Sequence, residues 1–150
     1  MSQFMELAEK EAILGMRRKH GGPFGAVIVR KGKVIAKAHN EVIKRNDPTA
    51  HAEITAIRKA SKKLKKFYLS DCEIYTTCEP CPMCLCAIKW ARIKRIFYGC
   101  SKDDARKIGF DDKKFYDSMR HRQKNMKSID REHCLIPFEI WQDIKKKTKY

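Results

Sequence analysis

Residues 26–38 read AVIVRKGKVIAKA, two apolar stretches on either side of a short turn. Both stretches, residues 26–30 and 33–38, are rich in β-branched side chains, which favour strands. Lys31 and Gly32 lie between them, and glycine stands where a two-residue hairpin turn needs a positive φ. The stretch therefore predicts an antiparallel β-hairpin.

Helical patterns lie on both sides of this hairpin. Upstream, an apolar face at helical spacing predicts an opening helix, which residues 20–23 (HGGP) interrupt. Downstream, Asp47 and Pro48 supply an N-cap and a first helical residue for a second helix, which ends in the basic stretch 62–66. His51 is then expected in the first turn. The apolar residues behind these two predictions are Phe4, Leu7, Ala8 and Leu14, then Ile54, Ile57 and Leu64.

Strands and helices continue to alternate beyond residue 70. Residues 72–76 and 95–98 predict short strands, and Pro80 and Pro82 are tolerated only at the start of the helix between them. Residues 113–131 predict a partly helical surface segment, and residues 137–147 a last helix. Crossovers require parallel neighbours, whereas the hairpin is antiparallel. We therefore expect an α/β fold, a three-layer α/β/α sandwich around a mixed sheet of about five strands.

Composition limits the class of protein. A chain of 150 residues suits a single domain, and no apolar run approaches the roughly 18 residues of a membrane span. The first residues lack the apolar core of a signal peptide, so we expect a cytoplasmic protein without a membrane partner. Seven cysteines, four of them clustered, indicate metal or catalytic chemistry in a reducing compartment. The net charge of +16 suits anionic partners, but its scatter along the chain favours a solvated basic surface.

Two short segments carry the chemistry. His51 lies at the start of one helix, and Cys81 and Cys84 lie three positions apart at the start of another, where they share a face. A histidine and two thiolates leave the fourth tetrahedral position of Zn²⁺ open for water, as in catalytic zinc sites. Glu53, two residues from His51, can move protons to and from that water without binding the metal. The pattern H-x-E with P-C-x-x-C is typical of zinc-dependent nucleobase deaminases.

The cysteine cluster also permits another interpretation. Cys78, Cys81, Cys84 and Cys86 form a dense run that could hold an iron–sulfur cluster or a closed zinc site. Such a site would leave His51 and Glu53 without a role. The remaining cysteines are expected to be small buried hydrophobic residues, namely Cys72, Cys78, Cys86, Cys100 and Cys134.

These residues resemble the bacterial-type guanine deaminases of the cytidine deaminase superfamily. The shared blocks are residues 21–29 (GGPFGAVIV), 46–53 (NDPTAHAE), 78–84 (CEPCPMC), 90–92 (WAR) and 109–112 (GFDD). The last two blocks distinguish this family from neighbouring deaminases. The resemblance implies one Zn²⁺ per chain and a cytoplasmic enzyme of purine catabolism that converts guanine to xanthine and ammonia.

The resemblance also implies roles for individual residues. The purine would be held by Phe24, Asn40, the backbone N–H of Ala52, and Trp90, with Asp112 as a second catalytic carboxylate beside Glu53. A one-residue shift would exchange Asp112 for Asp111. The family's terminal tyrosine, here Tyr150, closes the active site of a partner in a homodimer that exchanges its C-terminal segment, here residues 137–150. From the residues alone, a last helix packed on its own domain with a frayed basic end is the preferred interpretation.

Two other functions fit parts of the sequence. A tRNA adenosine deaminase shares residues 47–53 and could use the basic surface for phosphate contacts, but that family matches poorly after Cys84. A zinc-stabilised nucleic-acid-binding module without catalysis would make Glu53 dispensable. Nucleic acid is therefore a less favoured partner than a small purine base.

Overall fold

The computed structural model describes residues 2–110, 112–119, 131, 135, 136 and 140. In chain order the elements are α1 (Gln3–Arg17), β1 (Gly25–Arg30), β2 (Lys33–His39), α2 (Val42–Arg45), α3 (Ala52–Leu64), β3 (Cys72–Cys78), α4 (Pro82–Trp90), β4 (Arg95–Cys100), α5 (Lys102–Lys107) and α6 (Lys113–Met119). Helices and strands alternate after the hairpin, as the sequence predicts.

The strands form one mixed sheet in the order β2-β1-β3-β4. Strand β1 runs antiparallel to both β2 and β3, whereas β3 and β4 are parallel. The hairpin turn has a positive φ at both residues, 49° at Lys31 and 73° at Gly32, which matches the twist of the strands that it joins. The described residues contain four strands, so the expectation of about five was one too many for this part of the chain.

Helices cover both faces of the sheet. Helix α1 packs on one face, where Ala8 meets Val27 and Val29. Helices α3 and α4 cover the other face around Ile28 and the buried side chains of β3. Helix α1 lies so close to β1 that a Cβ at Gly25 would come within 2.0 Å of the Ala8 carbonyl oxygen. The three-layer α/β/α prediction is therefore confirmed, and the N-termini of α3 and α4 lie on the same side of the sheet.

The start of the second long helix differs from the prediction. Helix α3 begins at Ala52 with His51 as its N-cap, rather than at Pro48. Asp47 instead closes a local turn, in which its Oδ1 accepts the Thr49 backbone N–H at 2.8 Å and the Thr49 hydroxyl at 2.7 Å. Aspartate makes such turns as readily as it caps helices, so the local pattern could not separate the two.

Two short helices were not predicted. Helix α2 follows β2, and α5 begins with a capping box in which Ser101 and Asp104 exchange hydrogen bonds. Helix α6 agrees with the partly helical segment predicted from residue 113. Most of residues 137–150, including the predicted last helix and the exchanged tail, lies outside the described residues. Within the described part of the chain, no helix combines the length and the apolar character that crossing a membrane requires.

Candidate active site

Two helix N-termini bring the predicted metal ligands together. His51 is the N-cap of α3, and Cys81 is the N-cap of α4, each with an extended backbone. Pro82 follows as the first residue of α4, where its missing N–H costs nothing. The positive ends of both helix dipoles therefore lie at this point and favour thiolate over thiol.

The donor atoms match the spacing that Zn²⁺ requires. His51 Nδ1 lies 3.6 Å from Cys81 Sγ and 3.5 Å from Cys84 Sγ, and all three ligand atoms lie within 4.8 Å of one another. Zinc–sulfur and zinc–nitrogen bonds of about 2.3 and 2.0 Å in a tetrahedron separate N from S by roughly 3.5 Å. These three residues could therefore hold one zinc ion with little rearrangement.

The four-cysteine alternative does not form. Cys78 Sγ instead donates to the Ser101 carbonyl at 3.6 Å, and Cys86 is exposed on α4. The expected burial is therefore confirmed for Cys72 and Cys78 but wrong for Cys86 and Cys100, which are exposed, and Cys134 lies outside the described residues. Within the described residues, neither Cys78 nor Cys86 joins the group in which donor atoms of His51, Cys81 and Cys84 converge. The site thus has the three-ligand composition of a catalytic zinc centre.

The two ligand thiols have opposite pKa shifts. Hydrogen bonds from Cys84 and His51 lower the pKa of the Cys81 thiol to about 4, since they stabilise its thiolate. The pKa of Cys84 is raised, because its proton is held by the Cys81 sulfur and the group is buried. Both shifts have the same main cause, the hydrogen bond between the two cysteine side chains, and metal binding would displace that proton.

Glu53 is buried beside these ligands, with 6% of its surface exposed. Its Oε2 lies 3.5 Å from Cys84 Sγ, and its Oε1 accepts from the Thr76 hydroxyl at 3.2 Å. Burial raises the pKa of the Glu53 carboxyl, because the charged form is desolvated. A carboxyl of raised pKa next to a metal site is suited to taking up and releasing a proton during the reaction.

Thr76 was not identified from the sequence. It lies on β3, whose residues alternate between buried and partly buried, and its side chain is on the buried face with Ile74. A hydroxyl on the buried face of a strand needs a partner, and that requirement is the signal that could have found it. Thr76 orients the carboxylate of Glu53 and is a positioning residue.

A cavity of about 460 Å³ opens in front of the ligands. Phe24, Asn40 and Asp112 line it together with His51 and Glu53, so the structure brings three of the predicted substrate residues to one place. Ala52 begins α3 beside His51, and its N–H belongs to the first turn, where backbone donors have no partner within the helix. The volume is in the range of small-ligand sites.

Phe110 completes an aromatic wall of this cavity. Its ring meets Phe24 edge-to-face, with centroids 4.8 Å apart and an interplanar angle of 84°. The glycines opposite leave room for these side chains: a Cβ at Gly21 would lie 2.0 Å from Asn40 Oδ1, and one at Gly22 would crowd Phe110. Sequence reasoning noted the block containing Phe110 but assigned it no role.

Trp90 lies apart from the other described residues that were predicted to hold the purine. It ends α4, and at about 1.5 Å per helical residue its backbone is roughly 13 Å from that of Cys81. The indole is 65% exposed and lines a different groove with Ile54, Ile57 and Phe67. Trp90 therefore does not stack on a ligand in the cavity of its own chain. Asp111 and Tyr150 lie outside the described residues.

Comparison with known proteins gives consistent matches. Residues 1–100 match the cytidine and deoxycytidylate deaminase zinc-binding region. A guanine deaminase from Bacillus subtilis is 46% identical over 98% of this chain and 97% of its own. The X-ray structure of guanine deaminase from Bacillus subtilis superposes with a TM-score of 0.95 at 44% identity, covering 100% of this chain and 99% of the other. A tRNA-specific adenosine deaminase from Aquifex aeolicus is 44% identical over 63% of this chain and 62% of its own.

Proposed function

We propose that this chain, which belongs to the cytidine and deoxycytidylate deaminase family, is a zinc-dependent guanine deaminase. The assignment of guanine as substrate rests on the match to the Bacillus subtilis guanine deaminase, which spans nearly the whole of both chains. The reaction would be guanine plus water giving xanthine plus ammonia. The direct test is xanthine and ammonia formation from guanine by the purified protein.

The chemistry requires a nucleophile at neutral pH and a proton carrier. A zinc ion held by His51, Cys81 and Cys84 would acidify a bound water and so supply hydroxide. Glu53 would accept the proton of that water and deliver it to N3 of the purine. A second transfer through the same carboxyl would protonate the departing amine at C2, which leaves as ammonia. The raised pKa of Glu53 supports this shuttle.

The cavity residues offer complementary groups for a purine. Phe24 and Phe110 present apolar ring surfaces to a flat base. The Asn40 side chain is held by its Oδ1, which accepts the Val42 backbone N–H at 3.2 Å, and its NH₂ and the Ala52 N–H suit the purine acceptors O6, N3 or N7. Asp112 suits the N1–H and N2–H donors, which adenine does not present together.

Replacing Asp112 by asparagine tests the substrate assignment. We expect guanine turnover to fall by about 10-fold or more, because a carboxylate that accepts two donors becomes an amide that can accept only at one oxygen. Steady-state xanthine formation and melting temperature would be measured together. The matched control is Asp117→Asn on the exposed side of α6, which should change neither. Equal activity of Asp112→Asn and the parent chain would contradict this role.

A tRNA adenosine deaminase is the second candidate. It is favoured by the match to the Aquifex aeolicus enzyme and by the net charge of +16, which would suit a phosphate backbone. A panel of guanine, adenine, cytosine, their nucleosides and tRNA, assayed by ammonia release, separates the two. A site built around a purine edge should discriminate by several powers of ten against bases that lack its donors, about 10⁴-fold.

We also propose that the enzyme is a cytoplasmic homodimer in which the C-terminal segment of each chain closes the partner's site. The apolar groove beside Trp90 supports a partner, since exposed Phe67 and Trp90 lie on it. Exchange of an identical segment is a low-cost route to twofold dimers. A closing tail would exclude water and complete the purine site.

Removing residues 148–150 tests the tail. Guanine turnover should fall by about 10-fold or more, while zinc content is unchanged, because a closing tail orients substrate and excludes water without touching the metal. The mixing experiment joins this truncated chain with a full-length Glu53→Gln chain in refolded mixed dimers. Restored activity is expected, since the C-terminal segment of the Glu53→Gln chain would close the intact active site of the truncated chain. Inactive mixed dimers, with their composition demonstrated, would contradict exchange.

A further inference from the structure

A second group of metal-type side chains lies beside the cavity. His20 follows α1, His39 is the last residue of β2, and Glu41 follows two residues later, on the other side of Asn40. His20 Nδ1 lies 2.9 Å from His39 Nε2, and Glu41 Oε1 lies 3.8 Å from the same His39 nitrogen. One donor atom from each of the three lies within 4.8 Å of the others. His39 and Glu41 are buried, with 6% and 4% of their surfaces exposed.

A carboxylate behind this group orients its central histidine. Glu11, on α1, accepts from His39 Nδ1 at 3.1 Å. That bond places the proton on Nδ1 and leaves the Nε2 lone pair facing His20 and Glu41, which is the carboxylate–histidine arrangement of metal sites. The pKa of His20 is lowered, chiefly by desolvation and then by the charge of Lys44, which is the direction that favours a neutral imidazole.

We propose that His20, His39 and Glu41 form a second, non-catalytic site for a divalent transition metal ion of the zinc type. Two imidazoles and one carboxylate are a ligand set that such ions favour. Zinc–nitrogen bonds of about 2.0 Å in a tetrahedron would separate the two histidine nitrogens by roughly 3.3 Å, so the ion needs little opening of the pair. The proton on His20 Nδ1 would move to His20 Nε2 by tautomerisation, so both facing ring nitrogens can bind the ion while each imidazole stays neutral.

Glu41 can meet this role despite its cationic neighbours. Its Oε2 is held by Arg45, and its Oε1 accepts from Lys44 at 3.2 Å. The Lys44 side chain is 48% exposed and can move into solvent, so a metal bound to Oε1 replaces that contact. Asn40 lies between the two ligands and Gly21 follows the third, so the ion would hold together one wall of the substrate cavity.

Cobalt titration of the metal-free protein distinguishes the two sites. We expect two Co²⁺ ions per chain: one with the intense charge-transfer band of thiolate ligation, and one with only the weak visible bands of nitrogen and oxygen ligands. His20→Asn should abolish binding of the Co²⁺ ion that has nitrogen and oxygen ligands and should leave the thiolate-bound Co²⁺ ion unchanged. The matched control is Lys19→Asn, a neighbouring exposed residue whose φ of 57° asparagine tolerates, and it should bind both.

A second variant separates metal binding from folding. Glu11→Gln keeps all three ligands but removes the negative charge behind His39. It should lower the affinity of the second site for Co²⁺ by about 10- to 100-fold without changing the thiolate band. In the parent protein, zinc analysis after dialysis should likewise give two ions. One cobalt per parent chain, or a second ion that survives His20→Asn, would overturn the site. Either of these two results would overturn the second metal site only, and neither would argue against the thiolate site or the proposed deaminase function.

Discussion

Glu53→Gln is expected to retain its zinc and to lose about 10²-fold or more of its guanine turnover. The amide occupies the same buried space and can still accept from Thr76, so the site should keep its shape. It cannot take a proton from water or carry one to the purine, and general acid–base groups contribute roughly 10² to 10⁴ in rate. Single-turnover xanthine formation and zinc content would be measured on the same samples.

The control for this variant is Glu9→Gln, on the exposed side of α1, which should leave turnover unchanged. Full activity of Glu53→Gln with zinc bound would contradict the proton shuttle. That outcome would also favour the alternative of a zinc-stabilised nucleic-acid-binding module, because Glu53 has no catalytic role in such a protein.

Much of the architecture could be predicted from short sequence patterns, because turn residues and the spacing of side chains within one helix depend only on neighbouring residues. The Lys31-Gly32 turn needs a positive φ at both residues, and glycine supplies one of them without strain. Cys81 and Cys84 share a face because they are three positions apart at a helix start. These features depend on neighbours in the chain, so a single sequence is enough to find them.

Other features depend on contacts between distant segments. Asp47 satisfies the signature of an N-cap, but it closes a turn and the helix starts at Ala52. Thr76 is one threonine among strand residues until the fold places it 3.2 Å from Glu53. Phe110 packs against Phe24 in one wall of the cavity, whereas Trp90 lies at the far end of α4. Spacing within an element cannot reveal such partners.

Cys81→Ala should lose both zinc and deaminase activity. The change removes one of three protein ligands and also the thiolate whose low pKa, about 4, comes from its hydrogen bonds with Cys84 and His51. Two remaining ligands bind zinc far more weakly, so the loss of activity should exceed the roughly 10²-fold effect expected for Glu53→Gln. Zinc at this site would be followed by the thiolate band of the cobalt-substituted protein, which a second metal site without sulfur does not contribute.

The matched control is Cys86→Ala, because Cys86 is an exposed thiol on the same helix and a member of the alternative four-cysteine cluster. It should keep the thiolate band and full turnover. If Cys86→Ala lost the metal as Cys81→Ala does, the ligand set would include Cys86. A fourth protein ligand would occupy the position that the reacting water needs, so the same result would remove the basis for hydrolytic deamination at this centre.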